Sequence, residues 1–116
     1  PQHWSDVSVQ TSRYHLTFLA LIQKRRIGVE ICIPNDKEFG KTVFSHQQEL
    51  EELLGVKGEP YDAEKSCGLR FFREGCDVKG RPDMWSNYIA WQLCAAVKLQ
   101  QAMLDIDTAN PAETFE

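Results

Sequence analysis

Apolar residues in this chain change their spacing along its length, and the changes mark its elements. From Tyr14 to Gln23 they follow a period of two: Leu16, Phe18, Ala20 and Ile22 fall on one face, Thr17, Leu19 and Leu21 on the other. Both faces are mostly apolar, which predicts a central strand covered on both sides. A basic turn follows, Gln23-Lys24-Arg25-Arg26, and the alternation resumes. Between Arg26 and Ile33 it places Ile27, Val29, Ile31 and Ile33 on one face and Gly28, Glu30 and Cys32 on the other. Its β-branched side chains suit a pleated, packed surface, so a second strand is expected here. A weaker alternation from His3 to Val9 predicts a short strand ahead of both, separated from them by the turn-rich run 8–13.

After Pro34, which cannot donate to a ladder, the spacing lengthens to three and four. Phe39, Val43, Leu50, Leu53 and Leu54 share one face of a helix expected over 37–54. Asn35 or Asp36 can cap it, Glu38 stands where a capping box needs an acid, and Gly55 stops it. A short strand near Tyr61 and a better one over Leu69–Glu74 come next, then a loop over 75–82. The last helix is expected over 83–104. Trp85, Tyr88, Ile89, Leu93, Ala96, Val97, Leu99, Met103 and Leu104 form its wide apolar arc, with Trp91 and Cys94 outside it. Residues 107–116 read as a disordered tail behind a single domain over 1–106. The order β-β-β-α-β(β)-α predicts an α+β two-layer sandwich, an antiparallel sheet of four to five strands covered by two helices.

Composition adds bounds. With 116 residues, 42% of them hydrophobic, the chain can bury a core without metal or disulfide staples. Cys32, Cys67, Cys76 and Cys94 include no CxxC pair, so they read as reduced thiols of a cytoplasmic protein rather than a zinc site. The net charge of −4 weighs against a free-standing nucleic-acid binder. No apolar run approaches the roughly 20 residues of a membrane span, so no membrane partner is expected. The first residue is Pro1, and the chain is expected to be cut from a longer protein.

Three runs carry a resemblance. They are Ser12-Arg13-Tyr14-His15-Leu16, then Arg26-Ile27-Gly28-Val29-Glu30 leading to Asp36-Lys37, then Phe72-Arg73-Glu74-Gly75 followed by Asp83, Trp85 and Trp91. In that order and spacing the chain, from about Trp4 to Met103, resembles a bacterial and archaeal domain of unknown function found C-terminal to PD-(D/E)XK nuclease-like domains. Arg26 to Glu30 is the most specific part. The chain departs from the pattern at Gln10, Thr11 and Arg13, so no family role is carried onto Arg13. The resemblance implies a nuclease-associated, defence-type context and an absent N-terminal domain as a partner.

Candidate chemistry is sparse. No Asp followed by Glu-x-Lys, no HExxH, no GxSxG and no phosphate-binding glycine loop occurs, and no cofactor or metal set is called for. Glu30 reads as a sheet-face salt bridge to Arg70, Arg73 or Lys24. Gly28 reads as room for an aromatic such as Trp85 or Tyr88. The expected function is therefore a non-catalytic accessory or interaction domain, with Leu19, Leu21, Glu30 and Trp91 as its surface and the absent domain or a second copy as partner. Two alternatives stay open. One is nucleic-acid binding through Lys24, Arg25, Arg26, Lys79 and Arg81, strengthened if the two basic loops meet. The other is a stand-alone metal-dependent nuclease-like enzyme using Glu30, His15 and Glu74.

Overall fold

In the computed structural model, residues 13–34 and 36–109 are described in full and residues 2–7 by their backbone. Five strands form one antiparallel sheet: β1 (Gln2–Val7), β2 (His15–Leu21), β3 (Arg26–Pro34), β4 (Gly58–Asp62) and β5 (Ser66–Arg73). Their spatial order is β1-β2-β3-β5-β4, which puts β3 in the middle. Three α-helices accompany them: α1 (Lys37–Ser45), α2 (Gln47–Leu54) and α3 (Trp85–Ala109), the last entered through a 3-10 turn at Pro82–Met84. This is the α+β sandwich that the alternation predicts.

The expected helix over 37–54 is broken at His46, whose N–H turns back to the Val43 carbonyl at 3.0 Å. The hydroxyls of Thr42 and Ser45 donate to the carbonyls of Glu38 and Thr42, competing with the helical ladder just before the break. The Asp36 side chain caps α1 by accepting from the Phe39 N–H at 3.0 Å. Asn35, the other candidate cap, lies outside the described residues, as do residues 8–12. Gly55 ends α2 in the left-handed conformation at φ 76°. The last helix continues to Ala109, into the stretch expected as tail, and residues 110–116 lie outside the described residues.

Register decides the two faces of the sheet. Leu16 pairs with Ile31 and Phe18 with Val29 across β2–β3, and Val29 pairs with Phe71 and Ile31 with Leu69 across β3–β5. These residues share one face and meet Phe39 and Val43 of α1, Leu50 of α2, and Ala95, Ala96, Leu99, Met103 and Ile106 of α3 in the main core. A smaller cluster of Ile27, Cys76 and Tyr88 continues that layer under the loop after β5. Gln92 is the polar exception in the layer: it is buried, and its side-chain amide donates to the Leu19 and Gly28 carbonyls at 2.9 and 3.0 Å, pinning α3 to the β2–β3 pair.

The other sheet face carries Thr17, Leu19, Gly28, Glu30, Cys32, Arg70 and Phe72. Gly28 does make room for an aromatic ring, but the ring is Phe72 of the neighbouring strand, not Trp85 or Tyr88. A Cβ at position 28 would stand 2.6 Å from the Phe71 carbonyl oxygen and 2.7 Å from the Phe72 ring. The carbonyl is backbone and cannot rotate away. Gly28→Ala is therefore expected to destabilise the fold by about 1–3 kcal/mol, the usual cost of overpacking. Urea unfolding checks this, and an unchanged midpoint would contradict the packing described.

Candidate functional site

On the open sheet face the ladder sets Glu30 opposite Arg70, and the ion pair follows at 2.9 Å. The Tyr61 hydroxyl donates to the second oxygen of Glu30 at 3.0 Å, while the Arg70 guanidinium lies over the Tyr61 ring, 4.2 Å from its centroid. Arg26 repeats the arrangement: it lies over Phe72 at 4.0 Å and reaches Glu59 at 3.0 Å and Glu74 at 3.3 Å. His15 sits directly across the β2–β3 ladder from Cys32, half-buried, on the same face. The face is thus a lattice of guanidinium groups, rings and carboxylates in which Arg70, Glu30, Tyr61 and the Arg26 NH1 group are partnered, while Arg26 Nε is buried without a hydrogen bond.

This bears on the enzymatic alternative. Glu30 and Glu74, which would have to converge on a metal, are held by different arginines, Arg70 and Arg26. Among the described residues no three His, Cys, Asp or Glu side chains gather around a common point.

The two basic loops do meet. The Cys76 N–H donates to the Arg25 carbonyl at 2.7 Å and joins the β2–β3 turn to the loop after β5. Arg25 holds φ 53°, the strained corner of that turn. Lys24, Arg25 and Lys79 are exposed at this end. Arg26 and Arg81 are engaged instead: Arg26 as described, and Arg81 in a two-pronged pair with Asp83 at 3.0 and 3.1 Å.

Of the expected interaction residues, Leu19 is buried, Leu21 and Glu30 are half-buried, and Trp91 is half-buried and packs against both core clusters. The exposed apolar surface is elsewhere. Trp85, Ile89, Leu93 and Val97, assigned by spacing to the core arc, are 48%, 53%, 51% and 65% exposed. They recur every four residues and form one ridge along the outer side of α3. The stretch 85–97 holds no charged residue, and Lys98 is the first. An open cavity of about 310 Å³ lies between α2 and the far half of α3, lined by His46, Glu49, Leu53, Ala102 and Asp105 among others.

A residue that spacing alone did not place is Arg13. It pairs with Asp107 near the end of α3, approaches Asp36 at 3.6 Å, and lies 3.9 Å from the centroid of Phe39. Lys37 has a similar role, bonding Asp62 and the Ala63 and Ser66 carbonyls at the β4–β5 turn. These are contacts between distant segments, and neither residue's periodicity announces them.

Burial, then the nearby Cys32 and the Glu30 carboxylate, pushes the Tyr61 phenol well above its ordinary value. Burial, with Asp107 nearby, raises Tyr14 as well. A phenol held neutral in the folded state stabilises below its unfolded pKa of about 10, and that contribution is lost as pH rises above it. The urea midpoint is expected to fall as pH climbs beyond about 10, and to fall less steeply in Tyr61→Phe. Equal slopes for the two proteins would contradict the assignment.

A family model described as "Domain of unknown function (DUF4268)" matches residues 1–107. No curated protein matches the chain. Among solved structures the chain is similar to one in "Crystal Structure of the ExsC-ExsE Complex", at 12% identity and a TM-score of 0.42, with 84% of this chain and 74% of that one covered.

Proposed function

We propose, for a chain that belongs to the family described as Domain of unknown function (DUF4268), a non-catalytic interaction role centred on the outer face of α3. The observation that carries it is the uncharged ridge Trp85, Ile89, Leu93 and Val97, about half exposed on a helix whose opposite side is already buried. A helix that is apolar all round has a second surface to cover. The open sheet face is the weaker candidate, because its charges and rings already satisfy one another. The wider setting we propose, an accessory domain of a prokaryotic nuclease-associated cytoplasmic protein, is supported by the resemblance at Arg26–Glu30. It predicts a PD-(D/E)XK core encoded in the same reading frame.

Cys94 reports on this face because its thiol is exposed beside the ridge, whereas Cys67 and Cys76 are buried. In cell extract Cys94 is expected to react with a maleimide at least about tenfold more slowly than in the dilute purified chain, since a covered surface excludes the reagent. Equal rates, with no self-association of the purified chain at high concentration, would remove the association reading.

A second reading has one specific support, the Cys76–Arg25 hydrogen bond that sets Lys24, Arg25 and Lys79 at one end of the molecule. Three cations can contact backbone phosphates. The expected result is weak duplex binding with a log–log salt slope no steeper than about −3, reduced at least tenfold by Lys24, Arg25 and Lys79→Ala together. No binding at low salt would end this reading.

A further inference from the structure

We infer that the outer face of α3 is a two-fold interface with a second copy of this chain, the two α3 helices lying antiparallel. This rests on the association reading above and names the partner. The ridge Trp85, Ile89, Leu93 and Val97 runs beside a low row, Ser86, Ala90 and Cys94, exposed at the same spacing of four. A ridge next to a groove of equal pitch is the pattern by which helix faces interdigitate. The ridge is centred on position 91 and the low row on position 90, so one two-fold axis there seats each ridge in the other copy's groove.

Charge selects the same arrangement. Lys98 is exposed just beyond one end of the ridge, and just before the other is Asp83, exposed and paired within its own chain to Arg81, so that the partner's Lys98 would add a second cation to that carboxylate. The midpoint of Lys98 and Asp83 also falls between positions 90 and 91. The antiparallel pairing therefore brings each Lys98 towards Asp83 of the partner subunit, whereas a parallel pairing would set Lys98 against Lys98. Two copies each carrying a net charge of −4 repel at long range, and the uncharged stretch 85–97 is a face where they can approach at small electrostatic cost. The four ridge residues are about half exposed and contiguous, an apolar row rather than scattered surface residues.

Sedimentation of the purified chain tests this. The expected result is a mass that doubles across about 1–100 μM, with a Kd in the micromolar range. Leu93→Glu, at an exposed position that the fold does not need, is expected to weaken association at least tenfold. Lys98→Asp is expected to weaken it several-fold, and Asp83→Lys added to Lys98→Asp to restore it. Ala90→Cys in a Cys94→Ser background, treated with diamide, is expected to yield a disulfide-linked dimer, because the axis passes beside that position. A monomer at every concentration, or a dimer indifferent to Leu93→Glu, would overturn the inference. If the chain is monomeric while Cys94 is protected in extract, the second copy is refuted and the association reading stands. If Cys94 reacts equally in both and the chain is also monomeric at every concentration, both are refuted.

Discussion

Everything in this fold depends on the alternation of β3 in the middle of the sheet. Ile27, Val29, Ile31 and Ile33 are at most 2% exposed, all on the helix side. A slip of one residue would drive Gly28, Glu30 and Cys32 into the core and turn four β-branched side chains outward, so the register against β2 and β5 is held by burial. Once that register is set, other features follow. Glu30 falls opposite Arg70, Gly28 falls beside Phe72, and Gln92 finds the two carbonyls that fasten α3.

The two faces of the sheet then differ in kind. One is an apolar core beneath α1, α2 and α3. The other is a net of guanidinium groups lying over rings and paired with carboxylates. Partly exposed pairs of this sort contribute about 0–1 kcal/mol each, so the net orders the surface more than it stabilises the fold. It also leaves few unsatisfied groups for a partner to reward. That shifts the candidate contact surface from the sheet to α3, where Ile89, Leu93 and Val97 are exposed and apolar and only Trp85 is tied back, its indole N–H donating to the Val78 carbonyl.

Legibility in the sequence followed the sharpness of the local pattern. The β2–β3 hairpin could be read because its alternation is strict, and the Glu30–Arg70 pair because it follows from register. The outward face of α3 could not. Apolar residues occupy nearly every side of that helix, so spacing defines no unique buried stripe: it points Trp85, Ile89, Leu93 and Val97 inward, whereas Gln92 and Ala95 take the buried positions. Trp91 differs in the opposite direction: lying outside the apolar arc, it nevertheless packs against both the main core and the cluster of Ile27, Cys76 and Tyr88. The break at His46 depends on hydroxyl-to-carbonyl bonds within one turn, which no hydrophobic period records. Arg13 and Lys37 act between segments far apart in sequence, so their roles exist only after folding.

The placement of β5 beside β3 has a kinetic consequence. β2 and β3 are joined by a four-residue turn and can pair locally, but Pro34 and Ser66 become neighbours only after α1, α2 and β4 have been traversed. Closing a loop of that length costs conformational entropy before its contacts give anything back. Contact order thus makes the hairpin the expected early structure and the docking of β5 the expected slow step. Until that docking occurs, the far edge of β3 stands unpaired, a bare row of backbone donors and acceptors flanked by isoleucines. The window for misassembly in this protein is the lifetime of that exposed edge.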